Sequence, residues 1–195
     1  MGGCGIICCL PKCICKLIFS VIASVIAFLG ILALIIWLIL RPIDPLQIRI
    51  DDASLTQFNV TDNNILRYNL ALALNLRNPN KKIGVHYDQI EARIFYSGQR
   101  FDSVMLTPFY QGHKNTTILR PVFQGQRLLP DVQGEYNKDK TDGKFKLKVK
   151  LYLKLRFKVG FVNFAALKPP RAKCTFEVPL GSNPATGFTP KYCTL

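Results

Sequence analysis

Five of the chain's seven cysteines, Cys4, Cys8, Cys9, Cys13 and Cys15, fall within its first 16 residues, directly before a long apolar run. Thiols beside a membrane segment on its cytosolic side are substrates for S-acylation, so all five are palmitoylation candidates. A metal site is the competing use of clustered thiols, but it favours C-x2-C pairs with added histidines, and this tail has neither. Gly2 invites a myristoylation reading, which Ile6 rejects by standing where that signal wants Ser or Thr. The remaining cysteines, Cys174 and Cys193, form an even pair that fits one disulfide, with two free buried thiols as the alternative. Closing that bridge is worth about 3 kcal/mol by chain entropy.

Two N-x-[ST] sequons, Asn59-Val60-Thr61 and Asn115-Thr116-Thr117, offer Asn59 and Asn115 as glycosylation acceptors. Together with the cysteine pair they favour a secretory-pathway lumen for the residues beyond the apolar run. Catalytic chemistry has little to work with. His86 and His113 are the only histidines, no nucleophile-elbow pattern accompanies them, and no Gly-rich phosphate loop is present. The 12 carboxylates are scattered without the E-x-x-H or D-x-D clustering of metal or acid–base sites. We therefore expect no enzyme, no cofactor and no metal.

The most regular chemistry is cationic. From Lys144 to Val159 apolar and polar residues alternate, placing Lys144, Lys146, Lys148, Lys150, Lys154, Arg156 and Lys158 on one face of a strand. Successive cations on such a face stand roughly 7 Å apart, within one Debye length. All 12 carboxylates and all but two of the 26 Lys and Arg follow the apolar run, which leaves the rest of the chain at about +12. Such a field attracts polyanions. For a lumenal or extracellular domain those are an anionic polysaccharide or a membrane surface, not nucleic acid. A solvated edge strand kept soluble by lysines is the competing expectation.

These groups need positioning. Between Lys16 and Arg41 no residue is charged, and a helix of that length rises roughly 36 Å, enough to cross a bilayer. The run is too long and ends in residues too bulky for a cleaved signal peptide. The expected division is a cytosolic tail at 1–16, a transmembrane helix at 17–40 and an extracellular domain at 41–195. Lys12 and Lys16 before the span balance Arg41 and Arg49 after it, so the thiols and sequons, not the charge count, set the orientation. The few residues between Leu40 and the first strand keep the start of the outer domain near the membrane.

Beyond Pro45 the hydrophobic period changes to two. Leu66 to Leu76 alternates with Arg67 to Arg77, and Asn78-Pro79-Asn80 ends that strand as a turn. Further strands are expected at 48–60, 85–96, 99–105, 115–123, 145–159 and 171–178. A short helix is expected at 125–136, with Leu128, Leu129 and Val132 as its apolar side, followed by a polar turn at 137–143. The fold class is mainly β: an antiparallel β-sandwich, immunoglobulin- or fibronectin-III-like, with Greek-key-type connections and a short helix.

Several strings are more specific than periodicity: DASLTQF at 52–58, NLRNPN at 75–80, YDQIEAR at 87–93 and TPFYQGHKNTT at 107–117. With the Cys-rich tail, the single span and the closing cysteine pair, they resemble the plant harpin-induced and non-race-specific-disease-resistance-like family, whose outer domain is the late-embryogenesis-abundant type 2 (WHy) domain. The resemblance implies a plant plasma-membrane protein of pathogen defence, stress or senescence, a β-sandwich with a short helix, and no established enzymatic chemistry. Its partners would be the lipid bilayer, immune or scaffold proteins and wall polysaccharide, with homo-oligomers left open. Within the last string, Tyr110, Gln111, His113 and Lys114 are the partner-binding candidates, presented by a tight turn at Gly112; a strand-to-strand corner that only shapes the sequon is the competing reading.

Overall fold

The computed structural model describes residues 9–39, 44–166, 169–181 and 188–195. The chain divides into two compact units, Met1–Ile43 and Asp44–Leu195.

The first unit holds one helix, α1 (Cys9–Ile39). Within it Ile18–Trp37 has a mean hydropathy of 2.8 and none of it is buried against protein. A helix with no polar face and no protein cover has the length and composition to cross a membrane. The helix begins inside the Cys-rich tail, so Cys9, Cys13 and Cys15 lie on helical backbone. Cys4 and Cys8 fall outside the described residues.

The second unit is a two-sheet antiparallel sandwich. Its strands are β1 (Gln47–Val60), β2 (Ile65–Arg77), β3 (Ile83–Tyr96), β4 (Gln99–Leu106), β5 (Phe109–Gln111), β6 (Thr116–Leu119), β7 (Val122–Leu128), β8 (Phe145–Val159), β9 (Val162–Ala165), β10 (Arg171–Val178) and β11 (Lys191–Tyr192). One sheet runs β11-β1-β2-β6, with β7 also on β2; the other runs β10-β8-β3-β4, with β5 also on β3 and β9 on β8. The two long partners β3 and β8 pair from Ile83↔Val159 to Tyr96↔Leu147 and form the spine of the second sheet.

Alternation dictates the core. Leu66, Tyr68, Leu70, Leu72, Leu74 and Leu76 of β2 face Val149, Leu151, Leu153 and Leu155 of β8 and the inward side chains of β3, all of them buried. A bulge at Asp88 shifts β3 by one residue, which lets both Tyr87 and Ile90 point inward. Phe58 anchors one end of the core, with ring centroids 4.7 Å from Phe145 and 5.0 Å from Tyr96.

Prolines explain why the outer strands are short. β4 gives way to β5 at Pro108, β6 to β7 at Pro121, and β9 to β10 near Pro169 and Pro170, each break on a strand flanking a long central one. Proline has no N–H for the ladder, so it is tolerated at edges and breaks. The single strand expected at 115–123 is therefore two strands. The long strand β8 needs no such break and is continuous over 15 residues.

The helix lies later than its apolar residues suggest. Residues 122–128 form β7 on β2, and α2 spans Gln133–Asp142, closing at Gly143 with φ 70°. Pro130 interrupts any helix through 125–136, while Leu129 and Val132 are buried in the connection. The helix buries only Tyr136 and Asp139, so its sequence carries no apolar stripe to reveal it. The disulfide Cys174–Cys193, with Cα atoms 4.4 Å apart, ties β10 to the residue following β11 and so links the two sheets.

Candidate functional site

Strand β8 is central, with β3 on one side and β10 and β9 on the other, and this overturns the edge-strand expectation. Its lysines therefore do not guard an edge. They stand on the solvent face of a broad sheet, and register brings further cations beside them. Lys150 lies between Arg93 of β3 and Lys173 of β10; Tyr152 lies between Glu91 and Arg171; Lys148 lies between Phe95 and Thr175. Arg100 on β4 continues the Phe95 row. Neighbouring strands are about 4.8 Å apart, so the stripe read along one strand becomes a two-dimensional cationic lattice.

Aromatic rings are set into that lattice. The Arg93 guanidinium lies 4.2 Å from the Tyr152 ring centroid, with Arg171 at 5.4 Å on the same ring. Lys150 sits 4.2 Å over Phe95, and Lys158 is 5.9 Å from Tyr110. Each exposed cation–π contact contributes about 0.5–1 kcal/mol and, more usefully, holds a flexible cation in place. Two of the carboxylates on this face are engaged by arginines, while Glu177 of β10 stands exposed in register with Lys146. Arg156 donates two 2.7 Å hydrogen bonds into Asp88, and Arg93 does the same into Glu91. The paired guanidinium holds each of these carboxyls below its ordinary range.

Beside Tyr152 a cleft of about 500 Å³ opens between β3, β8 and the segment leading into β10, lined among others by Asp88, Glu91, Met105, Ala166, Pro170 and Arg171. Its walls are apolar and its rim carries Lys154, Arg156 and Arg171. Such a recess suits a ring with an anionic substituent better than an extended chain of charges.

The residues expected to bind a partner separate into two groups. Gln111 is fully buried and wholly used: its amide donates to the Leu76 carbonyl (2.8 Å) and Thr117 Oγ1 (3.0 Å), and accepts from the Tyr87 hydroxyl (3.1 Å). It joins the two sheets and has nothing to offer a partner. Tyr110, His113 and Lys114 are exposed. The Tyr110 ring lies 4.5 Å from that of His86 and covers Gly84 so closely that a Cβ there would overlap it. The left-handed residue of the turn is Lys114, with φ 48°, and not Gly112.

Sequence reasoning took Asn78-Pro79-Asn80 for a turn and missed its role as a polar hub. Asn78 is fully buried; its amide donates to the Ile83 carbonyl (2.7 Å) and the Gly112 carbonyl (3.0 Å), and its oxygen accepts from the Asn80 side chain and backbone. Asn80 in turn exchanges two 2.9 Å bonds with the Asp44 backbone. Two asparagines thus fix the chain's entry, the start of β3 and the 112–115 loop. The only signal available was an Asn pair flanking Pro at the end of a buried strand.

Both sequon asparagines are exposed, at opposite ends of the sandwich: Asn59 near the end of β1, accepting a 3.1 Å bond from the Tyr136 hydroxyl, and Asn115 in the loop whose carbonyl accepts from Asn78 N–H. Among the described residues no group of three or more His, Cys, Asp or Glu is placed to hold a metal ion.

Comparison with known proteins decides the family. Residues 73–165 match the family model described as "Late embryogenesis abundant protein". NDR1/HIN1-like protein 10 of Arabidopsis thaliana is 46% identical over 96% of this chain and 81% of its own length. The chain belongs to the NDR1/HIN1-like family. NDR1/HIN1-like protein 3 of the same plant is 44% identical over 96% of this chain and 84% of its own. A solution structure of another Arabidopsis thaliana protein covers 71% of this chain and 85% of its own at 14% identity, with a TM-score of 0.41.

Proposed function

We propose that this protein is a non-enzymatic, single-pass plasma-membrane component of plant defence, whose sandwich stands outside the cell and binds anionic wall polysaccharide or acidic partner proteins through the cationic face of the β8 sheet. The observation that carries the reading is the lattice itself. Cations from β3, β8 and β10 lie on one face, ordered by Tyr152 and Phe95, and they outnumber its carboxylates, of which Glu91 and Asp88 are matched by Arg93 and Arg156. A polyuronate meets such a face with charge complementarity, and the cleft beside Tyr152 fits one of its rings. Membership of the NDR1/HIN1-like family supports the defence setting. In this reading α1 from residue 17 onward is the anchor, residues 1–16 are the cytosolic tail carrying acylated cysteines, and residues 41–195 are the outer domain, with immune or scaffold proteins as further partners.

Membranes from tissue expressing the protein, treated with pectate-degrading enzyme or high salt, should release it from wall fragments. Retention unchanged by both treatments rejects the polyanion partner. The late-embryogenesis-abundant match favours a second reading, a dehydration-protective module without a specific immune partner. Loss of the protein would then impair drying tolerance and leave pathogen responses intact; the opposite phenotype rejects it.

A further inference from the structure

We propose that the hairpin joining β8 to β9 dips into an anionic lipid surface, giving the sandwich a membrane contact of its own. The turn is Gly160-Phe161, two residues closing Val159↔Val162. Two-residue hairpin turns are normally polar, and the other one in this sandwich, Ser97-Gly98, follows the rule. Here Phe161 is completely exposed, with Val162 64% and Val159 40% exposed beside it. A wholly solvated Phe at a turn tip is apolar area awaiting a partner.

Charge selects that partner. Lys158 and Arg156 stand immediately below the tip on β8, and Lys81 and Lys82 precede Ile83, whose register partner is Val159. Of the nearby acids, Asp88 is matched by Arg156, which leaves Lys158, Lys81 and Lys82 in excess over the exposed Asp44 carboxylate, whose residue bonds Asn80 only through its backbone. An apolar tip ringed by cations repels a second copy of itself and complements anionic headgroups above an acyl layer. The cations near the other end of β8, Lys146 and Lys148, lie roughly 40–50 Å along the strand from the tip and stay free for the polyanion of the proposed function.

The chain's single tryptophan makes the test direct. The full-length protein is reconstituted in phosphatidylcholine vesicles with and without phosphatidylserine, using lipids brominated on the acyl chain as quenchers. In the unaltered chain Trp37 reports the anchor. The Trp37→Phe, Phe161→Trp variant reports the tip, and Trp37→Phe, Lys138→Trp reports a distant site on α2. The expected result is blue-shifted emission at position 161, quenched at least about twofold when phosphatidylserine is present and less when Lys158→Gln and Lys82→Gln are added, with position 138 unquenched. Emission at 161 that brominated lipid leaves unchanged while Trp37 is quenched overturns the proposal and leaves the anchor standing. So does shielding of position 161 by cross-linkable contact with a second copy.

Discussion

At Asn78 one side chain holds three pieces of the sandwich, and it does so with no solvent to share the work. Asn78→Ala strands the carbonyls of Ile83 and Gly112 and an Asn80 donor, which should cost about 3 kcal/mol, read as a lowered denaturant midpoint at unchanged slope. Gln111→Ala likewise orphans the Tyr87 hydroxyl and the Leu76 carbonyl and should cost about 2 kcal/mol, whereas His113→Ala on the exposed turn should change stability little. Titration has a definite sign at both extremes. Asp88 and Glu91 have lowered carboxyl pKa values, chiefly from Arg156 and Arg93, so their contribution is present above the ordinary carboxylate range and is lost as pH falls through it. Burial raises the hydroxyl of Tyr68 to about 12 and pushes Tyr87 and Tyr96 up as well, so their contribution is complete below pH 10.0 and lost as pH rises beyond it. A thermal midpoint flat between about pH 5 and 9 and falling on both sides checks the account; one still rising above about pH 10 contradicts it. Of these residues the sequence exposed only types. Periodicity gave the strand that carries Tyr87, but the burial of Gln111 and the hub at Asn78 depend on partners 24 to 36 residues away, which no local pattern encodes.

Among the elements, β8 was fully legible along its length and misleading across it. Alternation gives its bounds and its two faces, but the same alternation describes an edge strand and a central one, and only pairing with β3 and β10 tells them apart. That distinction changes the chemistry from a row of charges to a surface. Replacing Lys146, Lys148 and Lys150 together by Glu should leave the fold intact, since all three side chains reach solvent, while reducing pectate binding at least about tenfold and flattening its salt dependence. Equal binding by the triple variant would remove the face from the account. Helix α2 was misplaced for the converse reason: its polar sequence rides on the sandwich through Tyr136 and Asp139 alone, below the threshold at which a pattern of period 3.6 can be seen. Of the flanking strands, β4 and β10 were legible in the sequence, β6 and β7 ran together across Pro121, and β5, β9 and β11 were missed, being too short for a period of two to stand out.

For the whole molecule, composition separates a lipid-compatible helix from a cationic sandwich without ambiguity, because the apolar run of α1 and the period of two beyond Pro45 do not overlap. The Cys174–Cys193 bridge joins the sheets near the chain's end, and Cys174→Ser should cost about 3 kcal/mol, visible as a loss of stability that reductant reproduces in the unaltered protein. Under the proposed anchoring, what the sandwich meets depends on which side of the bilayer it occupies. The exposed sequons at opposite ends of the sandwich read that side out. The full-length chain expressed in plant cells, treated with glycosidase and compared with Asn59→Gln and Asn115→Gln, should show a mobility shift that shrinks with each substitution and vanishes in the double variant. An unshifted band, with the sandwich shielded from protease added to intact cells, would place it in the cytosol and contradict the account.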